Sequence, residues 1–180
     1  KLANDIKEMV GLSQQDLKGL QKSDHFETQV YESTELDPEN ILPCLIPVTS
    51  EDKIWDDWLS ISEHVASFQF RRSPGRNCYF IVKNEKDNKN LGILDIGADF
   101  LSLGPRDEYI GWTMEQRQVY NRKIGNISIC VPTRSFGYNL SGGKLLALLA
   151  ISDQVGDFWK KRYGDTLAGV TVTSLYGKGT

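Results

Sequence analysis

Leu145, Leu146, Leu148, Leu149, Ile151, Val155 and Phe158 recur at intervals that gather them on one side of a helix spanning Gly143–Tyr163. Lys160, Lys161 and Arg162 suit its negative C-terminal end, and Gly164 supplies a stop. Strand-like runs flank it. Asn126–Val131 precedes, apolar at Ile127, Ile129 and Val131; Leu167–Leu175 follows, with Val170 and Val172 alternating with threonines. Two strands joined by so long a helix favour parallel pairing through a crossover, because a tight turn gives antiparallel neighbours whereas a helix carries the chain back to the end where the first strand began. This feature excludes all-helical and all-β folds. It predicts an α/β (α+β) architecture: a mixed central sheet flanked by helices.

Upstream, Cys78–Val82 and Leu91–Ile96 lie either side of the polar turn Asn84–Asn88 and predict an antiparallel hairpin. Ser50, followed by Glu51 and Asp52, predicts the cap of a helix reaching about Phe68, with Ile54, Trp55, Trp58, Leu59, Ile61 and Val65 as its buried stripe. Leu101–Arg106 reads as loop, and Thr113 as the cap of a helix through Tyr120. Ile41–Val48 carries Pro43 and Pro47, so it is at best an edge strand. Ahead of it, Asn4–Val10 and Ser13–Lys22 can form short helices, and residues 23–43 read as a polar linker. The chain thus divides into an irregular acidic segment, 1–49, and an α/β domain, 50–180. Ending on a strand with a glycine-bearing tail, that domain is expected to continue past Thr180.

Charge follows the same division. Residues 1–60 hold 13 acidic and 5 basic side chains, a net −8, whereas residues 61–180 hold 11 acidic and 16 basic ones, a net +5. A basic domain suits a polyanionic partner such as nucleic acid; the acidic segment is either a solvated arm or an internal mimic of that partner. No apolar run approaches the roughly 18 residues that cross a bilayer, so no membrane association is expected. Cys44, Cys78 and Cys130 are widely spaced and read as reduced core residues of a cytoplasmic protein. With only His25 and His64, and without H-E-x-x-H, C-x-x-C or G-x-S-x-G patterns, neither a metal site nor a hydrolytic triad is expected.

Two stretches carry candidate chemistry. Between the strand ending at Val131 and the long helix, Arg134, Gly137, Ser141, Gly142, Gly143 and Lys144 place small residues, a helix N-terminus and positive charge where α/β sheets collect ligands. They are candidates for holding a phosphate-bearing donor; the alternative is an N-capping serine with glycines closing an ordinary turn. In Arg106–Trp112, Asp107 and Glu108 are candidate catalytic carboxylates, and Tyr109 and Trp112 candidate stacking surfaces for a flat base. Alternatively, those side chains simply anchor a turn. Tyr176 as a general acid, Lys178 as an anion contact, and Arg71 and Arg72 as phosphate contacts complete the set.

Leu91-Gly92-Ile93-Leu94, Arg106-Asp107-Glu108-Tyr109-Ile110-Gly111-Trp112 with Glu115-Gln116-Arg117, Asn126–Pro132 and Lys161-Arg162-Tyr163-Gly164 together resemble the Druantia-A-like domain of unknown function, over about Trp55 to Thr180. That resemblance implies anti-phage defence or phage biology, and a fold similar to GNAT acyltransferases and to the phage Mom enzyme that modifies adenine in DNA. GNAT proteins grip a cofactor pyrophosphate with a [QR]-x-x-G-x-[GA] turn. Arg134 and Gly137 match its first two fixed positions, and Asn139 departs from the third. Two functions follow as expectations. One is a GNAT-like transferase modifying a nucleic-acid target, with acyl-CoA or another phosphate-bearing donor. The other is a non-catalytic module of the same fold that binds DNA or a partner, such as another defence or phage protein.

Overall fold

The computed structural model describes residues 31, 37–65, 70 and 74–172, apart from the side chains of His64 and Tyr138. The expected helices at 4–10 and 13–22, most of the linker, and Arg71, Arg72, Tyr176 and Lys178 lie outside the described residues.

Five strands form one mixed sheet: β1 (Pro43–Val48), β2 (Asn77–Asn84), β3 (Asn90–Ala98), β4 (Ile124–Pro132) and β5 (Gly169–Val172). They lie side by side in sequence order. The first three pairings are antiparallel, and β4 with β5 is parallel, as the helical crossover requires. The edge reading of Ile41–Val48 is met. β1 runs along β2 from Pro43 opposite Asn84 to Val48 opposite Tyr79, and at the rim its two prolines need no amide partner.

The helices differ more from expectation. The first, α1 (Trp55–Val65), starts five residues after Ser50. Thr49 organises the approach, its N–H and hydroxyl both donating to Asp52 Oδ2 at 2.8 and 2.7 Å. Where loop was expected, Gly104–Ile110 forms α2. Then α3 (Met114–Tyr120) begins at Thr113 as expected, inside a full capping box with Gln116. After β4 come α4 (Arg134–Leu140), α5 (Gly142–Leu149) and α6 (Asp153–Tyr163). The single helix expected over Gly143–Tyr163 is therefore two. After Ala150 the bonds tighten to three-residue steps, Ile151 N–H to the Leu148 carbonyl and Ser152 N–H to that of Leu149, and Ser152 takes up the extended N-cap conformation (φ −72°, ψ 156°) that starts α6.

Both faces of the sheet are covered. On one, Cys78, Phe80, Val82, Leu94 and Ile96 pack under Phe136, Leu146, Val155 and Trp159 of α4–α6. On the other, Tyr79, Ile81, Ile93 and Ile129 pack under Trp58 and Ile61 of α1. Trp58 is fully buried, stacks on Trp55 with ring centroids 5.5 Å apart, and meets Tyr79 edge-on at 5.0 Å. Its indole N–H reaches the Phe80 carbonyl at 3.3 Å. Replacing Trp58 by Ala is expected to destabilise the protein by about 3–5 kcal/mol. The check is a lowered urea midpoint at unchanged slope, followed by circular dichroism.

Candidate functional site

The Arg106–Trp112 stretch is a helix turn bound by charge. Pro105 sits in the first turn of α2, and Gly111 closes it in the left-handed region (φ 77°) that favours glycine. Arg106 Nη1 lies 2.5 Å from Asp99 Oδ2 and Nη2 lies 2.6 Å from Asp107 Oδ1, while Nη1 also donates to the Phe100 carbonyl at 3.0 Å. Arg117 of α3 donates to Asp107 Oδ2 at 2.9 Å and to Ser102 Oγ at 2.7 Å. The Leu103 N–H adds a bond to Asp107 Oδ2 at 3.1 Å. Burial works to raise the Asp107 pKa, but bonds from Arg106, Leu103 and Arg117 outweigh it and hold the carboxyl below its ordinary range. An anion so occupied makes a poor proton acceptor. These bonds support the turn-anchoring alternative for Asp107 over the candidate base. Trp112 is likewise engaged, with the Arg106 guanidinium 5.4 Å from its ring centre. Glu108 and Tyr109 face solvent, Tyr109 being 93% exposed.

The expected donor loop folds differently again. Arg134, at the start of α4, is exposed, as are Ser141 and Lys144 beside α5. Gly137 lies inside α4, its N–H bonded to the Thr133 carbonyl at 2.8 Å, and a Cβ there would come within 2.9 Å of Pro132. A Cβ on Gly142 would stand 2.3 Å from the Phe136 ring, whereas one on Gly143 would meet Pro132 at 3.8 Å. Close packing accounts for Gly137 and Gly142. Ser141 makes the turn between the helices with φ 52°. The three polar residues thus reach solvent, and the glycines expected to cradle phosphate lie against Pro132 and Phe136.

Sequence reasoning missed a row of polar side chains across the sheet. At the α1 end, the face carrying Tyr79, Ile81 and Ile93 is apolar. Further along the strands the same face continues as Asn77 on β2, Asp95 and Gly97 on β3, Asn126 and Ser128 on β4, and Thr171 on β5. Asn126 Nδ2 donates to Thr171 Oγ1 at 2.9 Å, and Thr171 Oγ1 donates to Asp99 Oδ1 at 2.8 Å, joining the row to the Arg106 network. Ser128 Oγ donates to Asp95 Oδ2 at 2.6 Å. Ser128 is the extra residue of a β-bulge, since Asp95 pairs with Ile129 and Ile96 with Ile127. Asp95 is 2% exposed, and its Oδ1 has no hydrogen-bond partner among the described residues. Burial pushes its carboxyl up to about 6, against the opposing bond from Ser128. One signal was visible: Asp95 interrupts the apolar run Leu91–Ala98. Among the described residues, no His, Cys, Asp and Glu group could hold a metal ion.

A family profile described as Druantia protein DruA matches residues 4–173. The chain belongs to the DruA family. The match takes in the acidic segment that the resemblance in sequence motifs had left outside. The chain is similar to the Druantia protein DruA of Escherichia coli (strain UMEA 4076-1), at 30% identity over 158 residues. That alignment covers 80% of this chain and 38% of the relative, so this DruA-family chain spans well under half of the relative's length. No solved structure matches. Among the described residues, no helix is long and apolar enough to cross a membrane.

Two measurements check this site. Arg106→Ala removes the guanidinium shared by Asp99 and Asp107 and is expected to cost about 3 kcal/mol in urea unfolding. Arg106→Lys should recover only part, because an ammonium lacks the planar fork that bridges both carboxylates. For Asp95, the folded state keeps a proton between about pH 4 and pH 6 that the unfolded chain releases. Stability from this group is therefore present below pH 4 and lost as pH rises through 6. Asp95→Asn should abolish that slope and, at pH 7, stabilise the protein by about 2–3 kcal/mol, read from urea midpoints across the pH range.

Proposed function

We propose that this DruA-family chain is a GNAT-like transferase that modifies a nucleic-acid target in anti-phage defence. Family membership supports the defence setting. The observation that carries the transferase reading is the sheet. Three antiparallel pairings are followed by a parallel β4–β5 pair across a helical crossover, with a bulge in β4 beside a buried carboxylate. Ligands of open sheets with such crossovers gather where a crossover leaves a strand, and bulges recur next to active sites. Arg134, Ser141 and Lys144 reach solvent just beyond β4 and are the side chains available to a phosphate-bearing donor such as acyl-CoA.

A nucleic-acid target is supported by charge at the opposite end of β4. Arg122 and Lys123 are exposed immediately before it, and Lys160, Lys161 and Arg162 are exposed in the last turn of α6. Arg76 ties these segments together, donating to the Arg122 carbonyl at 3.0 Å and lying 5.0 Å from the Tyr163 ring centre, which Arg162 approaches at 5.7 Å. Exposed Tyr109 offers a ring for base stacking. Without chemistry, the same surface makes a DNA-binding module, the second reading, which the exposed cations favour equally.

Mass spectrometry of nucleosides digested from DNA of cells expressing the full-length protein separates the two. A nucleoside mass absent from vector controls is expected; its absence with soluble, abundant protein leaves the binding module. Neutralising Arg122 and Lys123 together, as Arg122→Gln with Lys123→Gln, should weaken oligonucleotide binding and reduce the slope of log affinity against log salt by about 2. An unchanged slope would remove this surface from the nucleic-acid contact.

A further inference from the structure

We propose that Ser128, oriented by Asp95, is the contact for the acceptor group, and that the acceptor is an amino group on a heteroaromatic ring, such as a nucleobase carries. This rests on the transferase reading and names the part of the site that reading leaves open. Ser128 is exposed, yet its hydroxyl proton is directed inward to Asp95 Oδ2 at 2.6 Å. With its proton so committed, the outward side of Oγ presents lone pairs, an acceptor for an incoming N–H. Packing gives no reason for Asp95. A buried carboxylate costs several kcal/mol unless paired, and among the described residues this one has a single side-chain partner, Ser128, and no partner at its second oxygen. Replacing Ser128 and Asp95 with apolar residues would make a more stable sheet, so their presence points to a use.

The surroundings fit a flat ligand. Gly97 leaves the neighbouring position without a side chain, and a Cβ there would crowd Asn77 Oδ1 at 3.2 Å and approach Ser128 Oγ at 3.9 Å. Arg122 and Lys123 precede Ser128 by five to six residues of largely extended chain, about 15–20 Å, a distance at which they could hold the backbone of a strand whose base reaches the bulge. With an activated acyl donor such as a thioester, the balance is complete. The acceptor nitrogen forms the new bond to the acyl carbon, and the bond from that carbon to the leaving sulfur breaks with its electron pair. The N–H proton passes to Ser128 Oγ as the serine proton passes to Asp95 Oδ2. Asp95 is here a positioning residue acting through Ser128.

The test uses the isotope-labelled full-length protein titrated with deoxyadenosine, deoxycytidine and thymidine, thymidine having no exocyclic amino group. Saturable shifts of the Gly97, Asn126 and Ser128 amides are expected with an amino nucleoside and not with thymidine. Ser128→Ala should weaken that binding about tenfold, and Ser128→Thr, which keeps the hydroxyl, should restore it. Where nucleoside modification is detected, Asp95→Asn should lower kcat roughly 100-fold with KM little changed, a split that a merely structural loss would not give. No shifts with either amino nucleoside, or full modification by Ser128→Ala, overturns the acceptor site and leaves the transferase reading standing. Amino-nucleoside binding without any modified base overturns the transferase reading and leaves the acceptor site standing.

Discussion

Arg106 holds together segments that have little other reason to stay in place. Residues 100–120 contribute almost nothing to either apolar cluster, and in α2 only Asp107 is buried. Among the described residues, what fixes α2 and α3 against the sheet is a charged network centred on Arg106 and extended by Arg117. The Arg106 guanidinium takes Asp99 beyond the end of β3, the Phe100 carbonyl and Asp107 on α2, while Asp107 in turn takes Arg117 from α3. Asp99 passes the connection on, since its second oxygen accepts from Thr171 on β5. Desolvating these charges is costly, and the network repays it by giving every carboxylate oxygen of Asp99 and Asp107 at least one donor. A connection secured by geometry, with so little apolar surface committed, keeps its outer side free for rings such as Tyr109.

The sheet face under α1 shows the same division within a single layer. Over Tyr79, Ile81, Ile93 and Ile129 it is a dry aromatic core in which Trp55, Trp58 and Phe70 interlock. A few ångströms along the strands it becomes Asn77, Asp95, Asn126 and Thr171, polar side chains that lower the yield of burial per residue. Proteins retain such stretches where uniform stability would cost a function. The polar stretch also separates the two charged surfaces, with Arg134 and Lys144 following one end of β4 and Arg122 and Lys123 preceding the other.

Much of the fold was legible because its signals are local and periodic. The β2–β3 hairpin announced itself by two apolar runs either side of a polar turn, α3 by its Thr113 cap, and the parallel β4–β5 pair by the amphipathic stretch between them. The misreadings have specific causes. Leu145–Phe158 satisfies one helical period across a break that Ser152 and Asp153 mark only as a weak cap signal. Gly137 and Gly142 read as loop residues because their packing against Pro132 and Phe136 is tertiary and leaves no trace in local spacing. Asp107 reads in sequence either as a base or as a turn anchor, because most of the contacts that engage it are not with its sequence neighbours. Its partners Arg117 and, through Arg106, Asp99 lie up to ten residues away along the chain. Ser128 is an unremarkable serine in an apolar strand until its cross-strand partner is known.

Ser128 also resets the reading frame of its strand. Ile127 and Ile129 stand two apart, which in an unbroken strand would place both on one face. Here Ile127 joins the core beneath Phe136 and Trp159, while Ile129 joins the one beneath Trp58. One inserted residue thus lets a single strand serve two cores with side chains of the same type, and turns Asn126 onto the polar face beside Thr171. Any relative lacking that insertion would have to exchange polar for apolar identities at every position of β4 before it, so changes on the two sides of the bulge should be coupled as a block.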